Sequence, residues 1–225
     1  MNKDKIKSVF KWFFDSFIWL MILIFVIDIV TKWVMQNTIQ TEMRVKWEII
    51  PNFLGIGLSH NLGAAWSMGG DGSLRWLWIL ISIVLSGALS VYYAVSLKKK
   101  SMDIWTKIGL ALMISGAVGN MIDRCFYWND LVGFDGVIDW IAVRLPWGYD
   151  FPMFNIADSA LVIGVIIIVI YLIIELIKEA IEKGKSGAYQ LTPEQYEAKL
   201  KEEKGKKELE EQTKIEENNE NNQSK

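Results

Sequence analysis

The hydrophobic residues of this chain are concentrated in four long blocks separated by polar segments. The blocks cover residues 14–34, 74–97, 104–122 and 156–177. Each is about 20 residues long, the length that an α-helix needs to cross a hydrocarbon layer about 30 Å thick. The pattern predicts a membrane protein with four transmembrane helices. Hydrophobic residues make up 52% of the 225 residues, and their grouping in blocks argues against a soluble core.

The first block follows a lysine-rich leader, as the core of a secretory signal sequence would. It exceeds a typical signal core in length, contains Asp28, and leads into TKWVMQN rather than a small-residue cleavage pattern. We therefore expect it to be a retained first helix.

The lysines next to the blocks predict the orientation of the helices, since short cytoplasmic flanks are enriched in Lys and Arg. Three flanks carry lysine clusters: Lys3, Lys5, Lys7 and Lys11 at the N-terminus, Lys98, Lys99 and Lys100 after the second block, and Lys178, Lys183 and Lys185 after the fourth. The segments at 36–73 and 123–155 have only scattered basic residues. This distribution predicts that both termini are cytoplasmic and that these two loops face outward.

The first outer loop contains two candidate strands. Residues 45–50 alternate between apolar and polar positions, which favours a half-exposed strand, and Pro51 ends that pattern. Residues 53–58 form a weaker candidate because Gly55 and Gly57 lie within it. The second outer loop is rich in aromatic residues, as expected of a loop at the headgroup level or of a lid over an apolar substrate.

The composition changes near residue 183, beyond which Lys, Glu, Gln and Asn dominate. Such a segment cannot bury enough apolar surface to fold alone. We predict a membrane domain over residues 1–182 and a disordered cytoplasmic tail over 183–225. Within the tail, the sequence Thr192-Pro193-Glu194-Gln195 has the composition of a helix start.

Two aspartates at the membrane edge carry the strongest chemical signal. Asp139 and Asp158 flank an irregular span, and Asp158 begins the fourth block. Two carboxyl groups that share a site cannot both ionise cheaply, so one keeps a proton while the other activates water, as in aspartic peptidases. Alternatively, Asn155 and Asp158 form a helix-capping box, which leaves Asp139 unexplained.

Other polar residues near the helix ends have both structural and functional interpretations. Asp28 and Lys32 are four residues apart and so share a helix face; they form either a simple ion pair or a brace for the site. Asn120, Asp123 and Arg124 likewise have two interpretations, as an anchor at the membrane edge or as a support for the site. A charge relay in a small carrier, or a purely structural scaffold, are further alternatives.

The rest of the composition limits the chemistry. Cys125 is the only cysteine and His60 the only histidine, so an internal disulfide is excluded and a zinc site is disfavoured. The HExxH pattern of common zinc peptidases is absent. We expect no metal, no cofactor and no nucleic-acid partner.

Taken in order, five motifs resemble those of the bacterial lipoprotein signal peptidase (signal peptidase II) family. They are IDIVTK at 27–32, HNLGAAWS at 60–67, GAVGNMIDR at 116–124, GVIDW at 136–140 and PMFNIAD at 152–158. The resemblance covers roughly residues 14–178. It implies a four-helix aspartyl peptidase of the bacterial inner membrane with a small extracytoplasmic β-cradle, which cleaves prolipoproteins before a diacylglyceryl-modified cysteine. Phospholipid and the antibiotic globomycin are then expected to bind as well.

The resemblance also implies roles for individual residues. Asp139 and Asp158 correspond to the catalytic pair. The positions that line or support the site are Asp28, Lys32, Asn61, Gly116, Asn120, Asp123, Arg124 and Asn155. The interval between Arg124 and Asp139 is longer than is usual in the family, which leaves Asp135 as a rival to Asp139.

Overall fold

The computed structural model describes residues 3–39, 41–63, 74–126, 136–185 and 192–223. Within these ranges the chain forms helices and one antiparallel sheet. The elements are α1 (Lys3–Asp15), α2 (Ile18–Thr38), β1 (Met43–Ile50), β2 (Leu54–Asn61), α3 (Arg75–Lys99), α4 (Ile104–Phe126), β3 (Val137–Arg144), β4 (Asp150–Phe154), α5 (Ile156–Lys185) and α6 (Pro193–Gln223). Residues from Leu172 onward form a separate compact unit, which comprises the C-terminal part of α5 and the whole of α6.

Helices α2, α3, α4 and α5 are each long and apolar enough to cross a membrane. This confirms the number and order of the membrane helices that the four hydrophobic blocks predict. The large apolar side chains of α2, α3 and α5 are mostly exposed on the protein surface, as expected of helices whose outer faces contact lipid rather than water. The chain is therefore a multi-pass membrane protein.

The first hydrophobic block is not one continuous helix, because the chain breaks at Ser16 and Phe17. Phe17 has a left-handed backbone conformation with φ of 56°, which ends α1 and redirects the chain into α2. The Ser16 hydroxyl donates to the Phe13 carbonyl at 2.9 Å, and the Tyr93 hydroxyl of α3 donates to the Ser16 carbonyl. Helix α1 is thus a separate helix ahead of the first membrane span, and the length of the hydrophobic block does not predict the break between the two.

Helix α4 lies at the centre of the membrane region, with 50% of its span buried compared with 11% for α2. Glycines permit close contact with its neighbours. A Cβ atom on Gly116 would lie 2.2 Å from the Ala157 carbonyl oxygen of α5, and one on Gly119 would lie 2.6 Å from Asp28 Oδ2 of α2. The end of α4 is therefore held directly against the two helices that contribute acidic residues.

The four strands pair in the order β1-β2-β3-β4. The two strands expected in the first loop are present, each slightly displaced in its bounds. In contrast, β3 and β4 occupy a region that we had expected to be largely irregular. Val137, Ile138 and Asp139 are consecutive and all buried, so both faces of β3 are covered here. Apolar and polar residues therefore do not alternate along this strand, and its sequence carries only a weak strand signal. As an inner strand, β3 places Asp139 opposite Ser59 of β2.

Helix α6 occupies the segment for which the sequence analysis predicts disorder. Its first turn is capped reciprocally: the Gln195 backbone N–H donates to the Thr192 hydroxyl at 3.3 Å, and the Thr192 N–H donates to Gln195 Oε1 at 3.0 Å. This arrangement is a capping box. Because α6 is rich in Glu, Lys and Gln, local helix propensity accounts for its formation.

Candidate active site

The structure brings the two candidate acids together through one asparagine. Asp139 lies on β3 with 3% of its surface exposed, and Asp158 lies in the first turn of α5. Asn155 Nδ2 donates to Asp139 Oδ1 at 2.7 Å, and the Asn155 backbone N–H donates to Asp158 Oδ2 at 3.1 Å. Residues that are 19 positions apart thus share one hydrogen-bonding partner.

Asp158 is also part of a helix cap, as the alternative interpretation predicts. Its backbone N–H donates to Asn155 Oδ1 at 2.9 Å, which completes a reciprocal box with the bond described above. In addition, Asn120 Nδ2 donates to Asp158 Oδ1 at 2.7 Å. Two N–H donors and the positive end of the helix dipole stabilise negative charge at this position. Capping therefore fixes this acid in place and does not compete with a chemical role.

Asp139 has a different environment, in which burial dominates. Burial, followed by the charge of Asp158, raises the pKa of Asp139 to about 8. Its remaining oxygen, Oδ2, accepts a hydrogen bond from Asn61 Nδ2 at 3.2 Å. The raised pKa favours the protonated form of the Asp139 carboxyl at neutral pH, since two neighbouring buried carboxyl groups cannot both ionise cheaply.

Asn61 reaches Asp139 from the end of β2, and a glycine makes this approach possible. Asn61 Oδ1 accepts the Gly63 backbone N–H at 3.0 Å, which fixes the orientation of the amide. Gly136 has a φ of 107°, and a Cβ atom there would lie 2.5 Å from the Asn61 carbonyl oxygen. A side chain at position 136 would push β2 and β3 apart at the site. Sequence reasoning missed this role, although the glycine within the GVIDW motif was its visible signal.

A buried ionic cluster lies behind the two acids. Lys32 Nζ is 2.7 Å from Asp28 Oδ2 and 2.7 Å from Asp123 Oδ2, and it donates to Asn120 Oδ1 at 3.0 Å. Asp28, Lys32 and Asp123 are at most 1% exposed. The structure thus places Asp28 and Lys32 on one helix face, as their spacing predicts, and adds Asp123 from α4 to the pair.

The two carboxylates of this cluster hold the backbone next to each candidate acid. Asp28 Oδ1 accepts the N–H of Ala157, the residue before Asp158, at 2.9 Å. Asp123 Oδ2 accepts the N–H of Ile138, the residue before Asp139, at 3.4 Å. One lysine therefore links the anchors of both acids. Nothing in the sequence pattern distinguishes these backbone partners, because each bond joins distant elements.

Arg124 lies beside the pair with unused hydrogen-bonding capacity. Its two terminal nitrogens make long bonds of 3.4 Å, to the carbonyl oxygens of Asn120 and Gly63. Its Nε is buried and has no hydrogen-bond partner within the described part of the chain. Its charge lies within electrostatic reach of Asp139 and Asp158. A substrate carbonyl oxygen would satisfy such a donor set.

The remaining candidates fall outside the centre of the site or outside the described residues. His60 contacts polar side chains away from the two acids: its Nδ1 is 2.5 Å from Glu42 Oε1 and its Nε2 is 2.7 Å from Gln36 Oε1. Asp135 lies outside the described residues, so the structure does not place it. The described residues contain no group of three His, Cys, Asp or Glu side chains suited to a metal ion.

Together, four membrane helices and a buried carboxyl pair define the class of protein. Two carboxyl groups close enough to share a proton are the arrangement by which aspartic peptidases activate water. The fold and the site thus define a membrane aspartic peptidase.

Comparison with known proteins identifies the family. The profile of the family described as signal peptidase (SPase) II matches residues 20–174, and the chain belongs to this family. This membership favours the peptidase interpretation over a carrier or a scaffold.

Individual relatives are similar over most of their length. The chain is 37% identical to a lipoprotein signal peptidase of Staphylococcus epidermidis over 175 residues, covering 78% of this chain and 97% of the relative. It is 36% identical to one of Pseudomonas syringae pv. tomato over 156 residues, covering 68% and 83%. A bacterial membrane enzyme solved by the in meso method at 2.3 Å resolution is 33% identical with a TM-score of 0.59, covering 71% of this chain and 88% of that one.

Proposed function

We propose that Asp139 and Asp158 are the catalytic pair of this signal peptidase II. The enzyme removes signal peptides from prolipoproteins, as the names of its relatives and its family indicate. The observation that supports the assignment of the pair is the shared partner: Asn155 donates to both carboxyl groups, at 2.7 and 3.1 Å. The capping interpretation accounts for Asp158 alone, whereas the catalytic one accounts for both acids.

The protonation states suggest the role of each acid. The Asp158 carboxylate takes a proton from water as the water oxygen attacks the scissile carbonyl carbon. The Asp139 carboxyl donates its proton to the developing oxyanion. The tetrahedral intermediate then collapses, the peptide C–N bond breaks, and the proton held by Asp158 passes to the leaving nitrogen. The Asp139 proton returns from the intermediate, so the pair ends in its starting state.

The polar residues around the pair divide into substrate donors and supports. Asn61 and Arg124 have N–H groups near the acids, and we propose that these groups donate hydrogen bonds to carbonyl oxygens of the substrate backbone. Asp28, Lys32, Asn120, Asp123 and Asn155 support the pair through the bonds described above, and Gly116 supports it by letting α4 pack closely against Ala157.

We further propose that the site acts at the outer face of the bacterial inner membrane. The end of α4 and the start of α5 form the site, and the sheet lies at the same end. The lysines at 98–100 lie at the opposite end of α3 and α4, where cytoplasmic flanks are expected. Both termini are then cytoplasmic. The exposed apolar surface of the helices next to the site suits a substrate that remains in the bilayer, together with phospholipid and globomycin.

A cleavage assay tests this function. Purified full-length protein should cleave a prolipoprotein peptide that carries a diacylglyceryl cysteine, and mass spectrometry should find that the product begins with that cysteine. The matched control is the same peptide with an unmodified cysteine, which lacks the acyl chains that anchor the substrate in the membrane. Cleavage of both peptides at equal rates, or at another bond, would contradict the proposal.

The pH dependence of cleavage should reflect the proton on Asp139. Because its pKa is raised to about 8, the carboxyl keeps its proton at neutral pH and loses it as the pH rises through that value. We expect kcat to fall about tenfold per pH unit above pH 8. Stopped assays between pH 6 and pH 10 measure this limb, with protein returned to pH 7 as a control for reversible inhibition. A rate that stays constant up to pH 10 would show that Asp139 is not the acid.

A further inference from the structure

Helix α1 lies ahead of the part of the chain that matches the family, and peptide hydrolysis does not explain it. Its apolar residues recur with helical spacing at Ile6, Val9, Phe10 and Phe13, which places them on one face. Lys3, Lys7 and Lys11 are spaced four residues apart and so form a separate basic row. The helix is strongly amphipathic.

The described part of the protein leaves much of the apolar side of α1 uncovered. No described residue of this helix is buried. On the apolar face, Val9 is 54% and Phe10 is 60% exposed, whereas Ile6 and Phe13 are half-buried. Trp12 and Phe14, which flank this face, are each 55% exposed. Contiguous exposed aromatic and aliphatic side chains of this kind mark an interaction surface.

The end of α1 is fixed to the membrane helices. The Tyr93 hydroxyl of α3 donates to the Ser16 carbonyl, and Lys107 Nζ of α4 donates to the Asp15 carbonyl at 3.3 Å. Tyr93 lies within two turns of the end of α3, and Lys107 lies in the first turn of α4. The joint between α1 and α2 therefore lies at the membrane end that also carries Lys98 and Lys99.

Helix length excludes a further membrane span. With 13 residues, α1 is about 20 Å long, whereas a span requires about 30 Å. A short helix that begins at a membrane end, has one apolar face and has lysines beside that face has the features of an interfacial helix.

We propose that α1 lies in the membrane interface and binds an anionic phospholipid surface. Its apolar face enters the boundary between headgroups and acyl chains, and its lysines contact lipid phosphates. Charge complementarity supports this partner, because α1 carries four lysines against Asp4 and Asp15, and Lys98 and Lys99 add positive charge at the same end. Continuity also supports it, since α1 leads directly into a membrane span.

Labels on opposite faces of α1 test the proposal in the full-length protein. In a Cys125→Ala background, a polarity-sensitive fluorophore is attached at Phe10→Cys, on the apolar face, or at Ser8→Cys, on the polar face. The protein is reconstituted in phosphatidylcholine vesicles with or without phosphatidylglycerol. We expect lipids brominated near the acyl carboxyl to quench the position-10 label several-fold more than the position-8 label, and aqueous iodide to show the reverse order.

Charge variants test the anionic partner. Each lysine near an anionic surface strengthens binding by about fivefold, so replacing Lys3, Lys7 and Lys11 together by Gln should weaken docking by roughly a hundredfold. The difference between the two labels should then disappear, while cleavage of the lipidated peptide in detergent confirms that the variant is folded. Equal access of iodide to both labels in anionic vesicles would overturn the proposal. Protection of position 10 in native membranes but not in vesicles would assign the face to a protein partner and would also overturn it.

Discussion

Replacing Asp139 or Asp158 by asparagine is expected to abolish detectable cleavage. Asparagine keeps the size of aspartate but cannot supply the proton from position 139 or take one at position 158. Loss of one member of a catalytic unit costs several orders of magnitude in rate, and the losses are not additive. We therefore expect the double variant to be no slower than either single variant. Initial rates with the lipidated peptide measure the effect, and a binding assay with the same peptide should show retained affinity.

Folding controls make this result interpretable. Each carboxyl group accepts two N–H donors, and asparagine retains one acceptor, so each variant loses about 1 kcal/mol of stability. The control is Asp150→Asn, which removes an exposed acid paired with Arg144 on the sheet and should leave the rate unchanged. Asp135→Asn should also retain most activity. Activity in Asp139→Asn together with its loss in Asp135→Asn would move the catalytic acid to position 135, and full activity in both dyad variants would refute the aspartyl mechanism.

Lys32→Met is expected to have the largest effect on stability. It leaves Asp28 and Asp123 fully buried without their shared cation, and breaking a buried ion pair in this way costs about 3–5 kcal/mol. The positions of both proposed catalytic acids depend on the same carboxylates, so activity should fall with stability. Thermal unfolding in detergent, followed by circular dichroism, measures the change.

The matched control for this variant is Lys46→Met, which removes a lysine that donates to the exposed Thr38 carbonyl and should change stability by less than about 0.5 kcal/mol. The triple variant with Asp28→Asn and Asp123→Asn should recover part of the loss, because no buried charge remains. A Lys32→Met protein as stable as the parent would show that the cluster is not held by its central charge.

The features that the sequence predicts correctly are those encoded by local spacing. Block length identified the four membrane helices, and the four-residue spacing of Asp28 and Lys32 placed them on one face. The capping signal at Asn155 and Asp158 was likewise local. In contrast, the link from Asp28 to the Ala157 backbone and the link from Asp123 to Ile138 depend on packing between distant elements, which no short pattern contains.

The differences between sequence and structure have separate physical causes. The break at Phe17 requires one residue in a left-handed conformation and a hydroxyl from α3, neither of which hydropathy detects. Strand β3 is covered on both faces, so alternation fails there. Helix α6 forms from helix-favouring residues and a capping box, whereas composition measures only the capacity to bury apolar surface.

The position of Asn155 places the proposed catalytic pair at the boundary between the helices and the sheet. Asp158 belongs to the helical layer and Asp139 to the sheet. Next to the two acids, the bonds that cross between the layers are those of Asn155 with Asp139 and with the Ile138 carbonyl, and that of Asp123 with the Ile138 N–H. The distance between the two acids therefore depends on how the helices and the sheet pack against each other, and not on the internal structure of either. We expect a ligand that wedges the helices and the sheet apart to inhibit cleavage without unfolding any helix or strand.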